Sequence, residues 1–205
     1  MQRKTKEKIL YAELRGTPVG NLFIGASGKR LAFLSFGDRS EKALVEKESK
    51  RFGESPTFIK AGILNLKDLR KGSLQPGELK GAERHLKILK GTAYQLADYF
   101  YGRLKRFQIK KDATMLTDFE KGVLKELERI PCGKTSSYQE IARRVGNPRA
   151  SRAVGNAVGK NPFAIIVPCH RIIRKDGSLG GFGAPVSIKK LLLSFEKNLS
   201  SINKP

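Results

Sequence analysis

A cysteine, a histidine and an arginine follow one another at Cys169, His170 and Arg171, an unusual density of reactive side chains. A deprotonated cysteine is a strong nucleophile, and a neighbouring histidine can take its proton. The apolar run at 163–167 predicts a short buried strand, and Pro168 favours an extended conformation for the residue before it. Neighbouring side chains on a strand point to opposite faces, so the thiol and imidazole can act together only if the chain turns or a water links them. The alternative is a buried structural cysteine beside a hydrogen-bonded histidine.

The composition predicts a soluble globular protein that binds a polyanion. The 205 residues are 39% hydrophobic, which is enough for a core, and no apolar run is long enough for a signal peptide or a membrane span. We therefore expect neither secretion nor a membrane partner. The net charge of +22 favours nucleic acid as a partner, and a lysine-rich solvated surface is the alternative. Residues 1–111 carry a net charge of +14 and residues 112–205 one of +8, which favours general surface charge as the source of part of the excess.

The soft metal ligands are too few and too scattered for a zinc site. They are Cys132, Cys169, His85 and His170, without the paired close spacings of zinc ligands, so we expect no metal. Two cysteines also make a disulfide framework implausible. A cysteine that reacts must stay reduced, which predicts a cytoplasmic location, or a nuclear one in a eukaryote.

The N-terminal half is predicted to open with an antiparallel meander. Turn residues at hairpin spacing separate three apolar runs, which lie at 9–14, 22–26 and 31–36. Further predictions are a helix from Glu41 to about Arg51 capped by Ser40, an irregular connection over 53–80 and a helix over about 82–102. The polar stretch 105–114 then predicts a domain boundary, which divides the chain into 1–110 and 111–205.

The C-terminal half is predicted to be mainly helical. Thr117 to Glu120 and Ser137 to Glu140 both have the form of a capping box, which marks a helix start. A further helix over about 149–159 is rich in small residues, and with the preceding short helix it resembles a helix-turn-helix. Small residues let a helix approach a nucleic-acid backbone, but they also favour packing between helices within a domain.

The order of these motifs resembles one known family. Ser137-Tyr138-Gln139-Glu140, the run from Gly146 to Gly155, Lys160-Asn161-Pro162 and Pro168-Cys169-His170-Arg171 are similar to the C-terminal domain of the methylated-DNA-protein-cysteine methyltransferases, also called O6-alkylguanine-DNA alkyltransferases. The match runs from about 116 to 199 without a gap. The resemblance implies an α+β fold, with an N-terminal ribonuclease-H-like antiparallel sheet carrying helices and a mainly helical, winged-helix-like C-terminal domain with a helix-turn-helix.

The resemblance also implies an activity and four catalytic roles. Cys169 is expected to take the alkyl group of O6-alkylguanine, and more weakly of O4-alkylthymine, in one irreversible reaction per molecule. His170 is expected to take the thiol proton through a water, Glu196 to orient His170, and Asn161 to brace the turn before the nucleophile. The reaction needs no cofactor. The family's zinc ligands in the N-terminal domain, which some members carry, are absent here.

The expected partner is double-stranded DNA that contains the lesion, bound by a monomer. Because the alkylated base is stacked in the duplex, it must be flipped out. By resemblance Arg152 fills the vacated space and Tyr138 helps to rotate the phosphate, with the helix in the minor groove. The remaining predicted DNA contacts are Arg149, Ser151 and Lys160.

The base pocket is predicted at Phe182, Gly183 and Ile172, with Phe182 stacking on guanine. Gly183-Ala184-Pro185 departs from the family's hydroxyl-containing run, which removes a side-chain hydrogen bond to O6.

Two rival functions are a non-catalytic relative that flags alkylated DNA and a helix-turn-helix regulator. Non-catalytic relatives lack the nucleophile, so the presence of Cys169 argues against the first function. A regulator would have no use for the set of Asn161, Cys169, His170 and Glu196, which argues against the second.

Overall fold

The computed structural model describes residues 8–37, 40–52, 56–70 and 81–202. The chain forms two compact units, Met1–Met115 and Leu116–Pro205. Among the described residues, no helix is both long and apolar enough to cross a membrane.

A four-stranded sheet with the order β3-β2-β1-β4 forms the centre of the first unit. The predicted meander is confirmed as β1 (Lys8–Thr17), β2 (Gly20–Ser27) and β3 (Arg30–Phe36), each antiparallel to the next. The turns between them contain glycines in the left-handed region, where a side chain would be strained. Consecutive residues along all three strands are buried, so this part of the sheet is covered on both faces.

The prediction of an irregular connection over 53–80 is wrong for its middle part. Residues Thr57–Asn65 form β4, which pairs with β1 in parallel, and Leu66–Arg70 form the short helix α2. Residues 53–55 and 71–80 lie outside the described residues. The strand escaped prediction because it is an edge strand with little alternation, and because a register shift occurs at Gly62, where φ is 137°.

Two longer helices complete the described part of this unit. Helix α1 (Glu41–Phe52) begins where Ser40 Oγ accepts a hydrogen bond from Ala43 N at 3.3 Å, which confirms the predicted cap. Helix α3 (Glu83–Phe100) confirms the second predicted helix, and its apolar stripe is buried. His85 Nε2 accepts a hydrogen bond from Gly28 N at 3.0 Å, so this histidine is structural.

The second unit is mainly helical, as predicted. Its helices are α4 (Asp118–Glu128), α5 (Tyr138–Arg144), α6 (Ser151–Gly159) and α7 (Val186–Ile202). Two short parallel strands, β5 (Ser136–Ser137) and β6 (Ile172–Ile173), pair with each other. Together α5 and α6 form the predicted helix-turn-helix, with Gly146 at a φ of 81° in the turn.

The two predicted capping boxes differ in the structure. Thr117 and Glu120 make both reciprocal hydrogen bonds at the start of α4. Ser137 Oγ accepts from Glu140 N at 3.1 Å, but the Glu140 carboxylate accepts hydrogen bonds from Arg143 and Arg144 instead. The cap of α5 is therefore made by the serine side chain, and the acidic residue stabilises the first turn by ion pairs along the helix.

The strand predicted at 163–167 is wrong, although its burial is confirmed. The segment is a series of turns in which Val167 N donates to Phe163 O at 2.8 Å and Ile165 has a φ of 67°. A β-branched residue in the left-handed region is strained, so tertiary contacts must hold it. The apolar run has the pattern of a buried strand, but beyond a single β-bridge at Phe163 its backbone turns, and Ile166 N and Val167 N donate to carbonyls within the run.

Candidate active site

Asn161 holds the turn that precedes the nucleophile. Its Nδ2 donates to Val167 O at 2.9 Å, and its Oδ1 accepts from Phe163 N at 2.9 Å. Both bonds close the same buried loop, so one amide side chain supports the strained conformation at Ile165. The structure thus places Asn161 where the sequence predicts a bracing residue.

Cys169 begins a single turn of 3₁₀ helix, Cys169–Arg171, and is 8% exposed. The chain therefore turns at the position where joint action with His170 requires it to turn. Burial raises the pKa of the Cys169 thiol, and a hydrogen bond from Asn161 and the positive charge of Lys189 offset this only in part. Because the resting group is a thiol, its reaction as a nucleophile requires a base.

His170 is completely buried and is held by Glu196. The distance from His170 Nε2 to Glu196 Oε1 is 2.9 Å. Burial lowers the pKa of His170, although Glu196 opposes this, so the imidazole is neutral near pH 7. Burial also opposes ionisation of Glu196, but hydrogen bonds from His170 and Arg171 outweigh it and hold the pKa of that carboxyl well below its usual range.

These protonation states identify the basic nitrogen. An ionised Glu196 can only accept hydrogen bonds, so His170 Nε2 carries the ring proton. Nδ1 then holds a free lone pair, and no protein atom of the described residues forms a hydrogen bond with it, although it is buried. His170 is thus arranged to accept one proton at Nδ1.

The structure adds Arg171, for which the sequence analysis predicted no role. Its guanidinium donates to Glu196 Oε2 from Nε at 2.9 Å and to Glu196 Oε1 from Nη2 at 2.7 Å. A third bond runs from Arg171 Nη1 to Ile130 O at 2.5 Å. The arginine is 5% exposed, so these are buried, charge-assisted contacts.

Lys189 is the second residue that the sequence analysis missed. It is completely buried on α7, and its Nζ donates to the carbonyls of Leu179 and Gly181. Burial lowers the pKa of Lys189, whereas interaction with Cys169 raises it. A signal was available, since Lys189, Leu192 and Glu196 recur at helical spacing on one stripe, and two charged residues on a buried stripe indicate a polar site.

Tyr138 lies beside the loop that follows the nucleophile. Its hydroxyl is 3.5 Å from Gly181 O, and a Cβ atom at Gly180 would come within 3.2 Å of that hydroxyl. Gly180 has a φ of 66°, so both its space and its backbone conformation favour glycine. Burial raises the pKa of Tyr138, Arg174 lowers it and Cys169 raises it, so the phenol remains a neutral donor.

The three predicted pocket residues do not share one environment. Phe182 is half-buried, and Lys189 Nζ lies 5.9 Å from its ring centroid. Gly183 is exposed, with open space where a Cβ atom would stand. Ile172 is completely buried in β6, so it forms part of the core beneath the site.

Helix α6 has an exposed face and a buried face. Arg149 and Arg152 are exposed, while Ser151 at the start of the helix is half-buried. The buried face consists of Val154, Ala157 and Val158. Of the small residues in this helix, Ala157 packs within the unit, Ser151 and Gly155 are half-buried, and Ala153 and Gly159 are exposed.

Lys160 makes an ion pair that the sequence did not predict. Its Nζ lies 2.7 Å from Glu120 Oε1, which belongs to the capping box of α4. Lys160 remains exposed, but its ammonium is paired with a carboxylate of the same unit, where the sequence analysis predicted a contact with DNA. Lys160 therefore links the end of α6 to the start of α4, next to the bracing residue Asn161.

No metal site is formed within the described ranges, where no three His, Cys, Asp or Glu side chains are grouped to hold an ion.

Comparison with known proteins identifies the family. Residues 118–198 match the family model of the 6-O-methylguanine DNA methyltransferase DNA-binding domain. The methylated-DNA–protein-cysteine methyltransferase of Methanosarcina mazei is 43% identical over 136 residues, which are 66% of this chain and 83% of that relative. The corresponding protein of Methanosarcina barkeri is 49% identical over 112 residues, which are 55% of this chain and 70% of the relative.

Solved structures agree over nearly the whole chain. The O6-methylguanine methyltransferase of Mycobacterium tuberculosis superposes with a TM-score of 0.67 and 32% identity, covering 93% of each chain. The same organism's OGT in complex with DNA also has a TM-score of 0.67 and 32% identity, and covers 93% of this chain and 94% of its own. Motif order, site geometry and both kinds of comparison agree, and the chain belongs to the methylated-DNA–protein-cysteine methyltransferase family.

Proposed function

We propose that this protein repairs DNA by moving the alkyl group of O6-alkylguanine onto Cys169 Sγ, once per molecule. The observation that carries this proposal is the buried Cys169–His170–Glu196 arrangement, in which an ionised carboxylate leaves His170 Nδ1 free to accept a proton. The names of the relatives support the same chemistry, because they describe transfer from methylated DNA to a protein cysteine.

The reaction is one substitution at carbon. His170 Nδ1 takes the proton of Cys169, directly or through a water, and the thiolate attacks the alkyl carbon. The new S–C bond forms as the C–O6 bond breaks, and the electron pair of that bond leaves with guanine. One proton replaces the alkyl group on guanine, which balances the proton removed from the thiol. The S–C bond of the thioether product is stable, because the thiolate is a poor leaving group from an alkyl carbon, so the protein is consumed.

Lys189 and Tyr138 complete the pocket that the proposal requires. The ammonium of Lys189 stabilises the thiolate as it forms and fixes the carbonyls of Leu179 and Gly181. Tyr138 presents its hydroxyl on the same loop, where it can donate to the departing base. Phe182, half-buried beside this loop, is the side chain placed to stack on guanine. O4-alkylthymine is proposed as a poorer substrate.

The helix-turn-helix is proposed to bind duplex DNA in the minor groove as part of a monomer. The exposed Arg152 on α6 and Arg149 in the turn before it supply positive charge, and the net charge of +22 supports attraction to a polyanion. A DNA complex of the Mycobacterium tuberculosis relative supports the partner class. We also propose that the protein works in a reducing compartment such as the cytoplasm, since Cys169 must remain a thiol.

Intact-protein mass spectrometry tests the proposed reaction. After mixing with a short duplex that contains one O6-methylguanine, the protein should gain about 14 Da, the mass of one CH₂ increment, and peptide mapping should place it on Cys169. An unmodified duplex is the control. Tight binding to the lesion without a mass change would instead indicate a protein that flags damage. A mass gain mapped to Cys132 would contradict the assignment of Cys169 as the nucleophile.

Arg152→Ala tests the base-flipping role. Holding a flipped nucleotide offsets a few kcal/mol of unstacking, so we expect repair of the duplex to slow by about tenfold or more. Reaction with free O6-benzylguanine base should change by less than about twofold, because no base is flipped in that reaction. Arg143→Ala is the matched control, since Arg143 is exposed on α5 and pairs with Glu140. Equal losses on both substrates would contradict the role.

A further inference from the structure

Glu196 receives at least four hydrogen bonds from two separated segments of the described part of the second unit. The donors are Gly133 N at 3.1 Å, His170 Nε2 at 2.9 Å, and two nitrogens of Arg171 at 2.9 and 2.7 Å. Both carboxylate oxygens are occupied, and Arg171 bonds to each of them. Arg171 thus donates two of these hydrogen bonds to Glu196, whereas His170 donates one.

Arg171 supplies the positive charge that is hydrogen-bonded to the Glu196 carboxylate. Arg171 is cationic, Glu196 is anionic and His170 is neutral, which gives these three groups a net charge of zero. Without the guanidinium, the ionised carboxylate would lose the cation bonded to both of its oxygens in a buried place, which is costly. Uptake of one proton by His170 would replace the lost positive charge. That proton would occupy Nδ1, the nitrogen that must accept the proton of Cys169.

We propose that Arg171 is a positioning residue that keeps His170 Nδ1 unprotonated, by compensating the charge of Glu196 and fixing its carboxylate. The inference rests on the proposed alkyl transfer for its consequence, but the protonation state of His170 can be measured without any substrate. The third guanidinium contact, to Ile130 O, anchors Arg171 at the end of α4. The arginine therefore stays in place when the proton moves from Cys169 to His170.

Four charged or titratable groups face His170. They are Glu196 and Lys189 on α7 and the two neighbours Cys169 and Arg171. Burial lowers the pKa of His170, Glu196 raises it, and Arg171 and Lys189 lower it. Lys189 donates to the carbonyls of Leu179 and Gly181, whereas Arg171 is bonded to Glu196 itself. Removal of Arg171 therefore changes the balance at the carboxylate, and Lys189 is not placed to replace it.

Nuclear magnetic resonance titration of the imidazole groups tests the proposal directly. The chain contains two histidines, so a His85→Gln variant assigns the His170 signals. In Arg171→Gln we expect the midpoint of the His170 titration to rise by about one pH unit or more, the size of shift that a nearby charge produces. The acid limb of the rate of reaction with free O6-benzylguanine, followed from about pH 5 to pH 9, should move upward by the same amount.

Two further variants separate charge from structure. Arg129→Gln removes an exposed cation from the end of α4, paired with Glu126, and should leave the His170 titration unchanged. Arg171→Lys keeps the charge but loses the bidentate geometry, so the His170 midpoint should stay within a few tenths of a pH unit of the original protein, even if the thermal midpoint falls. This variant also carries the test if Arg171→Gln does not fold.

The possible outcomes are distinct. An unchanged His170 titration in folded Arg171→Gln would overturn the proposal, as would an upward shift in Arg171→Lys of the size expected for loss of the charge. A loss of rate by the same factor at every pH would show a structural role only. If the original protein transfers no alkyl group but its His170 titration shifts as expected in Arg171→Gln, the proposed function fails and the role of Arg171 stands.

Discussion

Replacing Cys169 by serine should abolish alkyl transfer, with a loss of about 10⁴-fold or more, as removal of a catalytic nucleophile does elsewhere. A serine hydroxyl ionises at a far higher pH than a thiol, and His170 cannot deprotonate it to a useful extent. The change is nearly isosteric at a position that is 8% exposed, so the fold should be retained. Single-turnover assays with an O6-methylguanine duplex, read by mass spectrometry, measure the rate.

The matched control is Cys132→Ser. Cys132 is the second cysteine of the chain and is half-buried in the turn before α5. The Cys132→Ser variant should keep the full rate of alkyl transfer. Cys169→Ser should still bind the lesion-containing duplex, since the proposed DNA-binding face lies on α6, away from the substituted side chain. Residual transfer in Cys169→Ser that disappears in Cys132→Ser would move the nucleophile to Cys132 and contradict the proposed reaction.

Lys189→Met should slow alkyl transfer by about 10- to 100-fold, and by the same factor on duplex DNA and on free O6-benzylguanine base. A hydrogen bond to a charged group contributes about 1.5 to 3 kcal/mol, which corresponds to that range of rates. Methionine has a similar volume, so the change removes the charge and leaves the packing. Because Lys189 lowers the pKa of Cys169, the variant should also need a higher pH for half-maximal reaction with iodoacetamide.

Lys190→Met is the control for Lys189→Met, since it removes an exposed lysine from the next position of α7. Its rate should be unchanged. Lys189→Arg should recover part of the rate, because it restores a cation but with a different shape. A loss on duplex DNA with no loss on the free base would mean that Lys189 contributes to DNA binding, and the role in the pocket would be wrong.

Much of the fold could be predicted from local signals. Turn residues separated the three strands of the meander, and Ser40, Thr117 and Ser137 marked helix starts that the structure confirms. These signals are readable because a cap or a tight turn satisfies its hydrogen bonds within a few residues. The edge strand β4 was missed because its stability depends on pairing with β1, which lies about fifty residues earlier in the chain.

Some residues of the candidate site could also be predicted from the sequence, and others could not. The order of Asn161, Cys169 and His170, with Glu196 on the last helix, was visible in the sequence as a resemblance, and the structure brings these residues together. Arg171 and Lys189 received no role, because their functions depend on what surrounds them. In a sequence with 41 lysines and arginines, a single cation is readily taken for solvated surface, and the helical spacing of Lys189 with Leu192 and Glu196 was the signal that could have singled it out.

The sequence by itself determined the Cys169–His170 pair as the candidate for the reaction, the helix starts and the basic charge of this protein, since these depend on residue type and short spacing. Only the tertiary structure decided which nitrogen of His170 can accept a proton and which donors bind each carboxylate oxygen of Glu196. It also decided that the run at 163–167 is a turn held by Asn161. The physical reason is that protonation and hydrogen bonding inside a protein depend on burial and on partners distant in sequence. Gly133 and Glu196, 63 positions apart, meet at 3.1 Å.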